Sequence, residues 1–312
     1  MNERILTGWE PRHAASWGQE PVCIGHGLHR HPLFAMAALA ELIERYPTEH
    51  YALVYMGAQG DKRFWREGTT GGLSGREVID WIAAGRMWLN LRRVNSVDSR
   101  YGELLDRIFG EIGEHVPGDT PRERHCGILI SSPNAQVYYH ADMPGQSLWQ
   151  IHGRKRVYLY PTGAPFLSDE QLEHIALREV EVDVAYDPDY DKHAKVFELE
   201  GGQMLHWPLN APHRVENHGV LNVSMTVEYW TEAVRRNYMV ALANGILRQK
   251  LGVRPRSRTT TGAGFLAKAV LQSGARRLGL LRKVRQSQRP LTFELDPRQP
   301  GQVRDLAPAP TA

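Results

Sequence analysis

From Cys126 onward the chain breaks into short β-type runs separated by turn residues, and that texture limits its fold more than any other feature. The runs cover residues 127–131, 135–140, 147–152, 154–160, 195–200, 203–207 and 221–230. Gly153-Arg154 and Pro161-Thr162-Gly163 supply turn chemistry between them. Many short strands joined by such turns build a sandwich or a barrel. The preceding chain reads differently. Leu33, Met36, Ala40 and Ile43 recur at helical spacing, with Pro47 to end the segment. Ser74 with Glu77 has capping-box spacing, and Leu104, Leu105, Ile108, Phe109 and Ile112 share one face of a third helix. Helices in front and strands behind predict an α+β fold.

With 312 residues the chain is long enough for a sizeable core. The expected organisation is a supporting region over 1–125, a core of β-type runs over 126–245, and a basic helix with a disordered end over 246–312. The last segment holds 14 Lys and Arg against 3 acidic residues, so the rest carries a net charge of −8 within the overall +3. A mildly acidic body argues against a surface built for nucleic acid. Two cysteines, Cys23 and Cys126, exclude a disulfide scaffold and a four-cysteine zinc site. The longest apolar run ends at Glu41, too short to span a membrane, and the first residues lack the apolar region of a signal peptide. A cytoplasmic protein is expected.

The strongest chemical signal is His140-Ala141-Asp142, which closes a β-run, with His213 farther along. Residues i and i+2 of a strand share a face, so His140 and Asp142 can reach one metal. A histidine from a neighbouring strand end would complete a two-His-one-carboxylate set, which leaves open positions on iron.

The stretches YYHADMPGQSLWQIHGRKRVYLYP and LEGGQMLHWPLNAPHRVENHGVLNVSMTVEYW resemble the cupin-like JmjC family of Fe(II)/2-oxoglutarate-dependent oxygenases. Within it they are most similar to the asparaginyl-hydroxylase type that acts on hypoxia-inducible factor. In that group a Lys fifteen residues after the first metal His holds the far carboxylate of 2-oxoglutarate; Lys155 stands at that position here. A Trp seventeen residues after the distal His ends a strand there, as Trp230 does here.

The resemblance implies a double-stranded β-helix (cupin or jelly-roll, JmjC-like) with N-terminal supporting helices and a basic C-terminal helical tail. It implies a hydroxylase in which His140, Asp142 and His213 are the catalytic iron ligands, with 2-oxoglutarate and O2 as co-substrates. The alternatives are an N-demethylase of the same family and a non-catalytic cupin-like binding module. Alternation and the family pattern make His206 a packed histidine rather than a ligand.

The sequence departs from the family pattern at three positions. Val137 stands where a Thr helps the Lys, so Tyr139, Ser132 and Ser224 are candidate replacements. Gln146 and Glu228 replace two Asn residues, and they join Asn222 as candidate substrate-pocket residues. The substrate is open between a protein or peptide side chain and a small metabolite.

In the tail, Leu266, Val270, Leu278, Leu281 and Val284 predict docking on the body or a homodimer through the C-terminal helix. Arg276, Arg277, Arg282, Lys283 and Arg285 would instead suit an acidic partner.

Overall fold

The computed structural model describes residues 4–56, 65–118, 121–178, 184–279, 281 and 290–306. Part of the Gly-rich loop (57–64), together with Arg282, Lys283, Val284 and Arg285, lies outside them. The strands in chain order are β1 (Leu6–Thr7), β2 (Val22–His26), β3 (Tyr51–Met56), β4 (Trp65–Thr69), β5 (Met87–Leu91), β6 (Glu123–Ser131), β7 (Gln136–His140), β8 (Gly145–Leu159), β9 (Lys195–Glu200), β10 (Gln203–His206), β11 (His213–Trp230), β12 (Leu291–Leu295) and β13 (Val303–Asp305). The helices are α1 (Pro11–Ser16), α2 (Met36–Glu44), α3 (Gly75–Ala84), α4 (Val94–Val97), α5 (Ser99–His115), α6 (Asp169–Arg178), α7 (Glu232–Leu251) and α8 (Gly262–Arg277).

Two long strands make the fold. The first half of β8 pairs with β10, and its second half with β9. The first half of β11 pairs with β7, and its second half with β6. β8 and β11 also pair with each other along both halves, with the register broken between His218 and Val223. One continuous antiparallel pair therefore serves two sheets, which makes a double-stranded β-helix. The break coincides with Gly153 and Gly219, at φ +79° and +77°. A Cβ on Gly153 would lie 2.6 Å from the Leu221 carbonyl oxygen, so glycine is required where the strands turn. Gly153 was expected to separate two strands; it bends one.

Alternation on β11 sorts the side chains. Val223, Met225 and Val227 face outward into a core with Ile128, Ile130 and Trp149. Against that face α2, α3 and α5 bury Leu39, Leu42, Val78, Ile82, Leu105 and Ile108. The Ser74–Glu77 capping box opens α3 as its spacing predicts. Burying each such side chain contributes about 1.5–3 kcal/mol. A second core, under α6, α7 and α8, collects Tyr139, Met143, Tyr160, Phe166, Ile175 and Leu242. α7 runs through residue 246, where the basic tail was expected to begin.

The C-terminal end differs from expectation. β12 lies parallel to β4, and β13 pairs back on β12, with Phe293 and Leu295 fully buried. The tail is ordered there because it covers an apolar sheet edge. Helix α8 buries Phe265 and Ala275, whereas Leu266, Val270 and Leu278 are 63%, 72% and 75% exposed. Those three residues do not dock on the body; Leu281 does, against the second core. Among the described residues, no helix is long and apolar enough to cross a membrane.

Candidate metal and co-substrate site

His140 ends β7 and His213 opens β11, and the two are direct partners in the ladder between those strands. Their ring centroids lie 4.1 Å apart. Asp142 follows β7 by two residues, so its carboxylate returns to the same side. One donor atom from each of His140, Asp142 and His213 lies within 4.8 Å of the others. His213 Nε2 is 3.3 Å from Asp142 Oδ2. Two ligands about 2.1 Å from a metal and at right angles to one another would be about 3 Å apart, so the spacing suits neighbouring coordination positions.

Each imidazole is oriented by the backbone two residues before it. His140 Nδ1 is 2.7 Å from the Tyr138 carbonyl, and His213 Nδ1 is 3.0 Å from the Ala211 carbonyl. A carbonyl only accepts, so both Nδ1 atoms carry the proton and both Nε2 lone pairs are left for a metal. Trp207 packs on the His213 ring with centroids 4.7 Å apart. Asn210, at φ +60°, donates from Nδ2 to the Asp142 carbonyl at 2.6 Å and pins the loop that carries the carboxylate.

The electrostatics match this donor set. Burial pushes the Asp142 carboxyl up, and burial together with His140 holds the His213 imidazole well below its ordinary value. Both shifts are the cost of desolvated groups, and a divalent cation between them would offset both. The residues fit a bound Fe(II).

Lys155 lies on β8 opposite Asn217, four residues along the ladder from the Leu159–His213 pair. At about 3.3 Å per residue that is about 13 Å of strand. The side chain is 2% exposed, and Nζ donates to Ser224 Oγ at 2.8 Å. Ser224 Oγ donates to Gln150 Oε1, and Gln150 Nε2 donates to Asn222 Oδ1, each at 2.7 Å. Among the described residues no carboxylate pairs with this ammonium, and burial pushes its pKa down to about 7. A buried cation without a counterion is the environment an anionic ligand would complete.

No protein-family model and no curated protein matches the chain. Solved structures do. The chain is similar to YcfD, a ribosomal oxygenase from Escherichia coli solved in complex with cobalt and 2-oxoglutarate. The TM-score is 0.52 at 18% identity, covering 93% of this chain and 74% of that one. An X-ray structure of E. coli YcfD gives a TM-score of 0.51 at 17% identity, covering 91% and 71%. This chain has the fold of YcfD.

The remaining sequence candidates divide. Ser224 is beside Lys155. Tyr139 is not: it alternates with His140, faces the second core, and donates to the Phe166 carbonyl at 2.8 Å. Ser132 is not either, because its hydroxyl is held between the Ile82 and Met87 carbonyls. Asn222 accepts from Gln150 and so joins the Lys155 network. Gln146 and Glu228 face one another across the β8–β11 ladder. Burial and the nearby Asp142 raise the Glu228 carboxyl to about 7.

His206 points to the opposite face of β10. Its ring stacks on Trp17 at 3.8 Å, and its Nε2 meets Tyr229 Oη at 2.8 Å. Sequence reasoning missed Asn210, Trp207 and Gln150. An Asn in a turn beside Pro208 is a left-handed candidate that could have been noticed; the other two act through tertiary contacts.

Proposed function

We propose that the chain is a cytoplasmic Fe(II)- and 2-oxoglutarate-dependent oxygenase that hydroxylates its substrate. The observation that carries this reading is the buried Lys155, unpaired by any described carboxylate, inside the same β-helix as three converging metal donors. YcfD, bound to cobalt and 2-oxoglutarate in its solved structure, supports it by fold.

In this reading His140, Asp142 and His213 hold the iron on one side and leave the other side open. Lys155 binds the far carboxylate of 2-oxoglutarate, and Ser224 orients the ammonium. Iron bound there would supply the oxidising chemistry with 2-oxoglutarate and O2, the co-substrate leaving as succinate and CO2 with one oxygen atom of O2, the other passing to the substrate. The protein keeps both imidazoles in the metal-binding tautomer through the Tyr138 and Ala211 carbonyls. Trp207 and the apolar residues beside it, Leu148, Val157 and Leu205, exclude water around His213. The exposed Leu266 and Val270 of α8 are the surface through which a homodimer would form, tested by solution mass after Leu266→Asp.

The test is turnover without substrate. Purified protein with Fe(II) should convert 2-oxoglutarate to succinate slowly, and His140→Ala should abolish it. Absence of succinate from iron-loaded protein, with no 2-oxoglutarate bound, would contradict the proposal.

A further inference from the structure

A cavity of about 630 Å3 opens beside the candidate metal site. Met143 and Pro144, which continue directly from Asp142, line it, as does Glu228, whose carboxyl feels the Asp142 charge. Its volume is that of a pocket for a small molecule or one or two peptide residues. Trp230 and Tyr238 give it an aromatic wall with ring centroids 5.5 Å apart.

Three arginines from three separate elements reach this one space. Arg93 stands before α4, Arg235 lies in α7, and Arg276 lies in the last turn of α8. Most arginines near them are used: Arg236 pairs with Glu232, Arg248 with Glu170 and Glu173, and Arg258 with Asp169. Among the described residues no carboxylate lies within ion-pair distance of Arg93, Arg235 or Arg276, although Arg93 acts at longer range on Glu228 and Arg235 on Glu232. Two carboxyls also line the cavity. Glu123 is hydrogen-bonded to His125 at 2.9 Å, and Glu228 is close enough to Asp142 to feel its charge.

Arg93 adds a second observation. Its backbone is left-handed, at φ 55° and ψ 44°, which a residue with a Cβ adopts only where its surroundings impose it. That conformation lies at a cavity wall, where such outliers concentrate when a side chain must be aimed.

We propose that this cavity takes the substrate by an anionic group, a carboxylate or a phosphate, held by Arg93, Arg235 and Arg276. The substrate class is therefore acidic, and the aromatic wall packs on the part next to the charge. Guanidiniums that line one cavity from three elements, none closed in a contact ion pair, offer planar donor forks suited to oxyanions, and they repel a cationic group on its way in. The inference rests on the oxygenase reading, which makes the adjoining site the reacting centre.

Calorimetry on the full chain loaded with Co(II) and 2-oxoglutarate tests it. The probes are a blocked hexapeptide of alternating Gly and Glu, its phosphoserine counterpart and its lysine counterpart. At least one anionic peptide should bind one per chain, more weakly as salt rises. Which one binds separates carboxylate from phosphate as the natural group. The double change Arg235→Glu and Arg276→Glu should weaken it about tenfold or more. Lys250→Glu, an exposed change in the same basic region but outside the cavity, should leave the affinity as it was.

Tighter binding of the lysine peptide, an equal loss in Lys250→Glu, or no binding of either anionic peptide would overturn the inference. Binding of Co(II) and 2-oxoglutarate without any anionic peptide overturns it while keeping the oxygenase reading. Binding of the anionic peptide to a chain that binds neither Co(II) nor 2-oxoglutarate overturns the oxygenase reading and leaves only an anion-binding cavity.

Discussion

His140 and His213 face each other across the β7–β11 ladder, ring centroids 4.1 Å apart, and each donates an Nδ1–H hydrogen bond to the backbone carbonyl two residues before it. Backbone pairing therefore sets both the separation of the two rings and their tautomers. Removal of one ring should abolish stoichiometric metal binding without unfolding the sheet. His213→Ala is expected to bind no Fe(II) or Co(II) by elemental analysis, while His206→Ala keeps one per chain. Metal retained in the first variant and lost in the second would move the site to the other face of β10.

Asp142 is a buried carboxyl whose desolvation outweighs the stabilisation its ionised form gains from His140. Asp142→Asn should therefore raise the melting temperature of the metal-free protein while weakening metal binding severely. A lower melting temperature in that variant would mean that the carboxylate has a structural partner.

Asn210 acts one step back from the metal. Asn210→Gly preserves the left-handed backbone and removes only the bond to the Asp142 carbonyl. Loss of such a support costs about 10–100-fold in metal affinity. An unchanged affinity by competition titration would show that the loop holds itself.

Lys155 gives a pH signature. Burial lowers its folded pKa to about 7 from 10.5, so between those values the unfolded chain holds a proton that the folded chain lacks. Stability of the metal-free protein should rise with pH across that window, by about 1.4 kcal/mol per pH unit from this group. Lys155→Met should remove that part of the slope in denaturant titrations at pH 7, 8 and 9. A slope identical in both proteins would place the titration elsewhere.

His140 and Asp142 carry a local signal in their i, i+2 spacing, whereas the positions of Lys155 and His213 followed from the family resemblance, because strand pairing brings them close from distant parts of the chain. The same alternation rule excludes Tyr139, which must face away from its neighbour His140, and that exclusion was overlooked. Ser132 and Asn222 could not be sorted by any local rule, since their partners Ile82, Met87 and Gln150 arrive through tertiary folding. β12 was read as a disordered end because a parallel strand paired with β4 leaves no local trace when its partner lies more than 200 residues away.

That C-terminal strand can be weighed directly. Phe293 is fully buried, so Phe293→Ala should cost about 3–5 kcal/mol of stability. A cost below 1 kcal/mol by denaturant titration would mean that the segment does not form part of the core.

The central claim is that three donors and one buried ammonium make a single site for iron and 2-oxoglutarate. Anaerobic calorimetry of 2-oxoglutarate into the chain, with and without Fe(II), tests it most directly. The account predicts one co-substrate per chain when Fe(II) is present and much weaker binding when it is absent. Lys155→Ala should keep the metal and lose roughly a hundredfold or more in co-substrate affinity, as expected when one partner of a buried charge pair is removed. Equal 2-oxoglutarate affinity with and without metal, or near-native affinity in Lys155→Ala, would contradict it.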